Sequence, residues 1–113
     1  MQARTVKRLA LSLPEVEERL TWEAPTFRVR NKIFAMFAEE RRVLWVKSTP
    51  DEQRALCQMD PGTFFVPPYF GPNGWIGIHF RSVDRGELEE LLIEAWRMTA
   101  PKRLLSAYDE GAL

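Results

Sequence analysis

The sequence predicts a two-layer α+β fold, in which helices back an antiparallel five-stranded sheet in the order α-β-β-β-α-β-β-α. Residues 26–47 are interpreted as three adjacent strands, the first of which alternates strictly between apolar side chains and arginines, as a half-buried strand does. Segments that begin at Thr49 and Asp84 combine helix-capping residues with the apolar spacing of amphipathic helices. These observations predict a layer of helices packed against one face of a sheet.

The first predicted helix covers residues 5–13 and ends before Pro14, because a proline pushes the preceding residue out of the helical conformation. Its apolar stripe consists of Val6, Leu9, Ala10 and Leu13. Residues 15–25 are acidic and are interpreted as a linker. Within this linker, we expect Trp22 to pack over an edge of the core.

The first predicted strand, residues 27–30, alternates strictly between apolar side chains and arginines. A two-residue turn at Asn31 and Lys32 would follow it, because asparagine tolerates the positive φ that hairpin turns need. With this turn, the expected core face of the first two strands consists of Phe27, Val29, Phe34 and Met36.

The second turn lies within residues 38–42, and the sequence leaves its register open. A loop of residues 39–41 keeps Leu44 and Val46 on the apolar face. A slip of one residue would expose both and bury the ammonium group of Lys47, which is costly without a partner. The first register is therefore favoured. It gives the opposite face a mixed basic and aromatic set, namely Arg28, Arg30, Ile33, Ala35, Phe37, Val43, Trp45 and Lys47.

The helix that begins at Thr49 is expected to end near Met59, with Glu52 completing a capping box. Cys57 lies on this helix, and a reactive cysteine would need a nearby base. His79, the single histidine, is far along the chain. Cys57 is therefore expected to be an inert core thiol.

Two short strands are predicted next. Residues 63–66 precede Pro67 and Pro68 and are predicted to form an edge strand, since proline cannot donate to a strand ladder. Residues 75–80 alternate, and the side chains suited to the core are Ile76, Ile78 and Phe80. The same alternation places on the opposite face Trp75, Gly77 and His79.

The clearest helical pattern follows Asp84, which forms a second capping-box sequence with Glu87. Its inward stripe consists of Leu88, Leu91, Leu92, Ala95, Trp96 and Thr99. Pro101 interrupts the pattern, and residues 102–105 are predicted to form a further helical turn. From Tyr108 onward the chain is expected to fray.

Length and composition indicate a single domain over residues 1–113. Sixteen basic and sixteen acidic residues cancel, so net charge gives no argument for nucleic acid and only a local patch can supply one. The single cysteine excludes an intramolecular disulfide and a multi-cysteine metal site. No apolar segment reaches membrane-spanning length and no signal peptide is visible, so a cytoplasmic protein without a membrane partner is expected.

Four segments, taken in their order and spacing, resemble the MmcQ/YjbR-like family. They are FRVRNKIFAMF at residues 27–37, VLWVKSTPDEQ at 43–53, GWIGI at 74–78 and EAWRMTAPKRL at 94–104. The resemblance implies a two-layer α+β fold, comparable to secretion-chaperone-like and frataxin-like sheets. It also implies DNA binding, with family-like positions at Lys32, Trp75 and Lys102.

The basic and aromatic face of the predicted sheet is the candidate binding surface. Its candidate residues, together with the family-like positions, are Arg28, Arg30, Lys32, Trp45, Lys47, Trp75, His79 and Lys102. Basic side chains can meet phosphates and indole rings can stack on unpaired bases, which favours DNA. Aromatic residues with arginine are equally typical of protein interfaces, so a second copy or another protein is the alternative partner.

No pattern in the sequence indicates an enzyme. A nucleotide-binding fingerprint, a catalytic triad motif and a metal-ligand cluster are all missing from it. The sequence therefore predicts a non-enzymatic binding protein that needs no cofactor.

Overall fold

The computed structural model describes residues 1–112. The helices are α1 (Ala3–Leu11), α2 (Pro50–Met59), α3 (Arg85–Arg97) and α4 (Lys102–Asp109). The strands are β1 (Val16–Thr21), β2 (Ala24–Val29), β3 (Lys32–Ala38), β4 (Val43–Val46), β5 (Phe64–Phe65) and β6 (Ile76–Ile78). One antiparallel sheet, ordered β1-β2-β3-β4-β6-β5, is backed by the helices, which confirms the predicted fold class.

The sheet has six strands rather than the predicted five, because residues interpreted as a linker form the edge strand β1. A two-residue turn of Trp22 and Glu23 joins β1 to β2, and both residues have positive φ. This conformation matches the twist of the paired strands. It also projects Trp22 away from the sheet, so this side chain is 95% exposed and the prediction that it packs over the core is wrong.

The turn between β2 and β3 lies one residue earlier than predicted, at Arg30 and Asn31, and Val29 pairs with Lys32. A β-bulge then shifts the register between Phe27 and Arg28. Phe34 stays buried at the bulge. The residues of β3 that follow it point to the faces opposite to those predicted. As a result Ala35 and Phe37 belong to the helix-covered core and Met36 lies on the opposite face, which is the reverse of the prediction.

The connection between β3 and β4 has four residues, 39–42, instead of three, and Phe37 pairs with Leu44. This pairing places Leu44 and Val46 in the core, as predicted. Ile76 and Ile78 of β6 pair with them and are also fully buried. The inward faces of β4 and β6 are therefore confirmed, although the register of β3 is not.

Helices α2 and α3 begin at the predicted residues, whereas α1 begins and ends two residues earlier than predicted. Thr49 accepts a hydrogen bond from the Glu52 amide at 3.2 Å, and Asp84 accepts one from the Glu87 amide at 3.2 Å. These caps satisfy donors that would otherwise lack partners at the first turns of α2 and α3. No helix within residues 1–112 combines the length and apolar character needed to cross a bilayer.

Trp96 on α3 joins three parts of the helix layer. Its side chain is fully buried and its Nε1 donates to the carbonyl of Pro14 at 3.0 Å, next to the end of α1. Its ring lies 5.0 Å from the ring of Tyr108 on α4. Because Tyr108 is held in a helix that extends to Asp109, the prediction that the chain frays from Tyr108 is wrong.

The ion pair between Arg97 and Asp109, at 2.7 Å, gives the α3–α4 contact a pH dependence. The Arg97 guanidinium lowers the pKa of Asp109 through a hydrogen bond and its charge. The stability contributed by this pair is present above the aspartate pKa of the unfolded chain, about 3.9, and is lost as pH falls through the folded-state pKa. We therefore expect Asp109→Asn to be less stable than wild type at neutral pH.

This difference in the free energy of unfolding should shrink as the solution is acidified through the aspartate range, and urea denaturation at several pH values measures it. Glu110→Gln is the control, because Glu110 is adjacent and forms no ion pair within residues 1–112. If the free energies of unfolding of wild type and Asp109→Asn differ equally at neutral and acidic pH, the Arg97–Asp109 pair is not the source of the pH dependence.

Gly77 on β6 leaves room for the ring of Phe65 on the neighbouring strand β5. A Cβ atom at residue 77 would lie 2.3 Å from Cζ of Phe65, far inside contact distance. Gly77→Ala is therefore expected to displace this ring and to lower the free energy of unfolding by about 1–3 kcal/mol. Urea denaturation measures the loss, and Gly62→Ala, where the added atom meets nothing closer than 3.5 Å, should change little. Equal effects of the two substitutions would contradict this packing.

Candidate binding site

The sheet has a second face, opposite the helices, which carries Arg28, Met36, Trp45 and Gly77. The 66–74 loop between β5 and Trp75 covers the part above β4 and β6. Phe70 of this loop stacks on Trp75 at 4.8 Å and meets Trp45 edge-on at 5.9 Å. Trp45 and Trp75 are therefore only 9% and 7% exposed, and the expectation that both rings are available on an open face is wrong.

The part of the second face above β1, β2 and β3 lies open as an apolar groove of about 520 Å³, which we call the second-face groove. It is lined by Thr21, Trp22, Thr26, Ile33, Met36, Trp45, Tyr69 and Phe70. Trp22 on the β1–β2 turn and Tyr69 on the 66–74 loop are highly exposed, with Tyr69 87% exposed. The groove thus has an apolar floor and two exposed aromatic side chains in its lining.

The 66–74 loop, which forms one wall of the groove, is held in place by α2. The Gln53 side-chain amide donates to the carbonyls of Gly71 and Trp75, at 3.0 and 2.6 Å. Gly74 has a φ of +89°, and a Cβ there would lie 2.7 Å from the backbone nitrogen of Pro50. A residue with a side chain at 74 would be strained and would clash with the start of α2. These contacts fix the loop that carries Tyr69 and Phe70.

Arg28 is hydrogen-bonded to two residues that line the groove. Its Nη2 donates to Thr21 Oγ1 at 2.8 Å and its Nε donates to Thr26 Oγ1 at 3.2 Å, and both threonines line the groove. Within residues 1–112 no carboxylate forms an ion pair with Arg28. The half-buried guanidinium is therefore oriented by two neutral hydroxyls, and its positive charge is available to an anionic group.

The indole of Trp45 has an unmet hydrogen-bonding requirement. Its Nε1 is buried and finds no acceptor within residues 1–112. An unsatisfied buried donor costs about 1–3 kcal/mol. The ring of Trp45 is part of the groove lining, while its Nε1 has no exposed surface there.

The remaining cations predicted as site residues are dispersed. Arg30 on the β2–β3 turn is paired with Glu15 at 2.6 Å, and this contact lowers the pKa of Glu15. Lys47 borders a depression beside α2 and α3, and Lys102 begins α4 in the helix layer. Lys32 is exposed at the start of β3. Of the predicted cations, only Arg28 is therefore tied to the groove.

His79 lies after β6, outside the groove. It borders an open depression with Arg42, Gly62, Arg81 and Ser82, and its ring is 4.9 Å from that of Phe65. Cys57 on α2 is half-buried, and burial raises the pKa of its thiol. Within residues 1–112 no group of three or more histidine, cysteine, aspartate or glutamate residues is placed to hold a metal ion.

The comparison with known families agrees with the fold. The YjbR family model matches residues 11–98, more than half of the chain. The chain belongs to the YjbR family. The resemblance inferred from the four sequence segments is thereby confirmed.

Similar proteins include the uncharacterized protein YbdF of Escherichia coli O157:H7, which is 30% identical over 100 residues, covering 83% of this chain and 80% of YbdF. The uncharacterized protein Rv2570 of Mycobacterium tuberculosis is 37% identical over 54 residues, or 48% of this chain, and the match spans 42% of the length of that relative. The crystal structure of Deinococcus radiodurans DR2400, with a DUF419 domain, has a TM-score of 0.75 at 18% identity and covers 84% of this chain and 75% of that one. This likeness shows a shared fold.

Several lining residues of the groove in this YjbR-family chain were not predicted from the sequence. Thr21 lies on the strand that was interpreted as a linker, and Met36 was assigned to the core. Tyr69 and Phe70 lie in a segment whose composition indicates only a loop. Aromatic residues flanked by proline and glycine, as in residues 67–75, are the one sequence signal that could have indicated this side of the groove.

Proposed function

We propose that this chain is a non-enzymatic binding protein that recognises a partner polypeptide through the second-face groove. The observation that carries the proposal is the apolar groove with Trp22 and Tyr69 exposed in its lining. Contiguous exposed apolar surface is costly for a monomer and is typical of interaction sites. Aromatic residues and arginine are enriched at the centres of protein interfaces.

The groove favours a particular ligand chemistry. Ile33 and Met36 on its floor offer apolar contacts to an aliphatic or aromatic side chain. Arg28, which is hydrogen-bonded to Thr21 and Thr26 of the lining, offers a charge-assisted hydrogen bond to a carboxylate. The partner segment therefore carries an apolar or aromatic side chain next to an acidic group.

The proposal assigns no catalytic step and no cofactor to the chain. The raised pKa of Cys57 disfavours its thiolate, and the ring of His79 lies against Phe65 in an open depression. A cytoplasmic location is part of the proposal, because a reducing compartment suits the free thiol of Cys57.

DNA is the second candidate partner, and the exposed ring of Trp22 is the observation that favours it. Exposed aromatic rings stack on the bases of single-stranded nucleic acid. The net charge of zero, the Arg30–Glu15 pair and the dispersed lysines weigh against it, because nucleic-acid affinity depends on a cluster of unpaired cations. We therefore rank a polypeptide first.

Selection of phage-displayed random peptides on the immobilised protein tests whether the groove binds a polypeptide rather than DNA. We expect the selected peptides to carry an aromatic or aliphatic residue beside Asp or Glu, and to be lost when Met36→Glu replaces wild type. If wild type and Met36→Glu recover the same peptides equally well, the groove is not the peptide-binding site. Binding of single-stranded oligothymidylate, with an affinity that falls steeply with salt, would favour DNA instead.

A further inference from the structure

The β1–β2 turn of this chain carries the two groups that the groove is suited to bind. Trp22 is almost fully exposed, and Glu23 beside it is exposed and forms no ion pair within residues 1–112. The groove supplies an apolar floor, and Arg28 beside it has no carboxylate partner in the part of the chain that the structure describes. An aromatic side chain followed by a carboxylate is therefore present in the same molecule as its complement.

We propose that a second copy of this chain occupies the second-face groove, with Trp22 of each copy entering the groove of the other. Glu23 of each copy pairs with Arg28 across the interface. This inference rests on the proposed function, because it names the polypeptide that the groove receives. Trp22 lies at the edge of its own groove, so a two-fold axis close to this edge lets the two turns exchange positions.

The geometry of the turn favours such an exchange. It has two residues, both at positive φ, and joins two strands paired from Thr21 and Ala24 onward. A short turn of this kind is already ordered before association, so little conformational entropy is lost when Trp22 is buried. Buried tryptophan is the residue type that most often dominates an interface.

The charges of the chain also favour association of two copies. The chain has a net charge of zero, so two copies do not repel one another as charged molecules do. The proposed contact between Glu23 and Arg28 is made twice in a symmetric dimer. Each copy carries both members of the pair, Glu23 and Arg28, which makes the interface self-complementary.

Sedimentation equilibrium of the full chain over low to high micromolar concentrations tests the proposal. Wild type should show a concentration-dependent monomer–dimer equilibrium, and Trp22→Ala should weaken dimerisation by roughly thirtyfold or more. Met59→Ala is the control, since Met59 is 63% exposed on α2, away from the groove. A monomer at every concentration, or an unchanged dimer in Trp22→Ala, overturns the proposal.

A charge exchange separates the proposed contact from a general effect on folding. Glu23→Arg and Arg28→Glu should each weaken the dimer, because each places like charges together across the interface. The double variant Glu23→Arg/Arg28→Glu should restore dimerisation, since the opposite charges meet again. Glu90→Arg, at an exposed position on α3, should leave the dimer unchanged. With folding confirmed by circular dichroism, failure of the double variant to recover excludes the contact.

Binding of anilinonaphthalene sulfonate, an aromatic anion, distinguishes this inference from the proposed function. A wild-type chain that stays monomeric but binds the dye in the groove keeps the groove as a binding site and removes the second copy as its occupant. A chain that neither dimerises nor binds the dye contradicts both the second copy as occupant and the groove as a binding site. If the proposal is correct, the dye shifts the equilibrium toward monomer as it fills the groove.

Discussion

In the Met36→Glu variant, we expect the affinity of the protein for anilinonaphthalene sulfonate to fall roughly a hundredfold. Met36 is half-buried in the floor of the second-face groove, next to Trp45 across the β3–β4 pair. Glutamate removes apolar contact area from the floor and brings a negative charge near Arg28. Both changes disfavour an apolar group that carries an anion. Dye fluorescence titration measures the loss.

Met59→Glu is the matched control, because it introduces the same charge in place of the same residue on an exposed part of α2. Its dye affinity should stay close to that of wild type. Near-ultraviolet circular dichroism of all three proteins shows that the tertiary structure is kept. Equal losses in both variants, or no loss in Met36→Glu, would mean that the dye binds elsewhere.

The largest loss of stability is expected for Trp96→Ala. The indole is fully buried between α1, α3 and α4, donates to Pro14 and packs on Tyr108. Replacing it with alanine leaves a cavity and removes the hydrogen bond of a carbonyl, which should cost about 3–5 kcal/mol in the free energy of unfolding. This is a large part of the stability of a small domain, which is on the order of 5–15 kcal/mol.

Urea denaturation of Trp96→Ala and Trp22→Ala compares the same substitution at buried and exposed positions. Trp22→Ala should change the free energy of unfolding by less than about 0.5 kcal/mol, because Trp22 has almost no intramolecular packing. A stability loss of similar size in both variants would contradict the burial assigned to the two side chains. Under conditions where the protein dimerises, both are measured at low protein concentration.

The sequence predicts those parts of the fold in which one local signal decides the outcome. The caps at Thr49 and Asp84 begin α2 and α3, since a side-chain oxygen three residues before a free amide is sufficient. In β6, Ile76 and Ile78 alternate with Gly77, so its inward face follows directly from its apolar residues. β4 is apolar throughout, and its inward face was predicted from the cost of burying Lys47 instead. In β3, residues 33–38 are all apolar and a bulge interrupts the pairing with β2, so alternation alone cannot show which of them point inward.

The edge strand β1 was not predicted, for a different reason. Glu17, Glu18 and Arg19 give it a charged sequence without a continuous apolar face. Charges on an edge strand protect it from pairing with other chains, and here Glu18 pairs with Lys7 of α1 at 3.0 Å. These residues form a strand because tertiary pairing with β2 outweighs their weak local preference.

The candidate site could be predicted only in part. Trp45 and Trp75 were assigned to the second face, and the structure places both of them there. Their burial depends on Phe70, which reaches them from a loop whose path the sequence does not determine. Arg28 was placed on the same face, but its link to the groove arises from Thr21, on the strand that was not predicted.

The four tryptophans allow the central claim, an open binding groove on the second face, to be tested residue by residue. Indole signals in a proton–nitrogen correlation spectrum, assigned with single Trp→Phe variants, are followed during titration with anilinonaphthalene sulfonate. We expect the signals of Trp22 and Trp45, which line the groove, to shift, while that of Trp96 in the helix layer stays in place. If the Trp22 and Trp45 signals do not move at saturating dye, the groove is not a binding site.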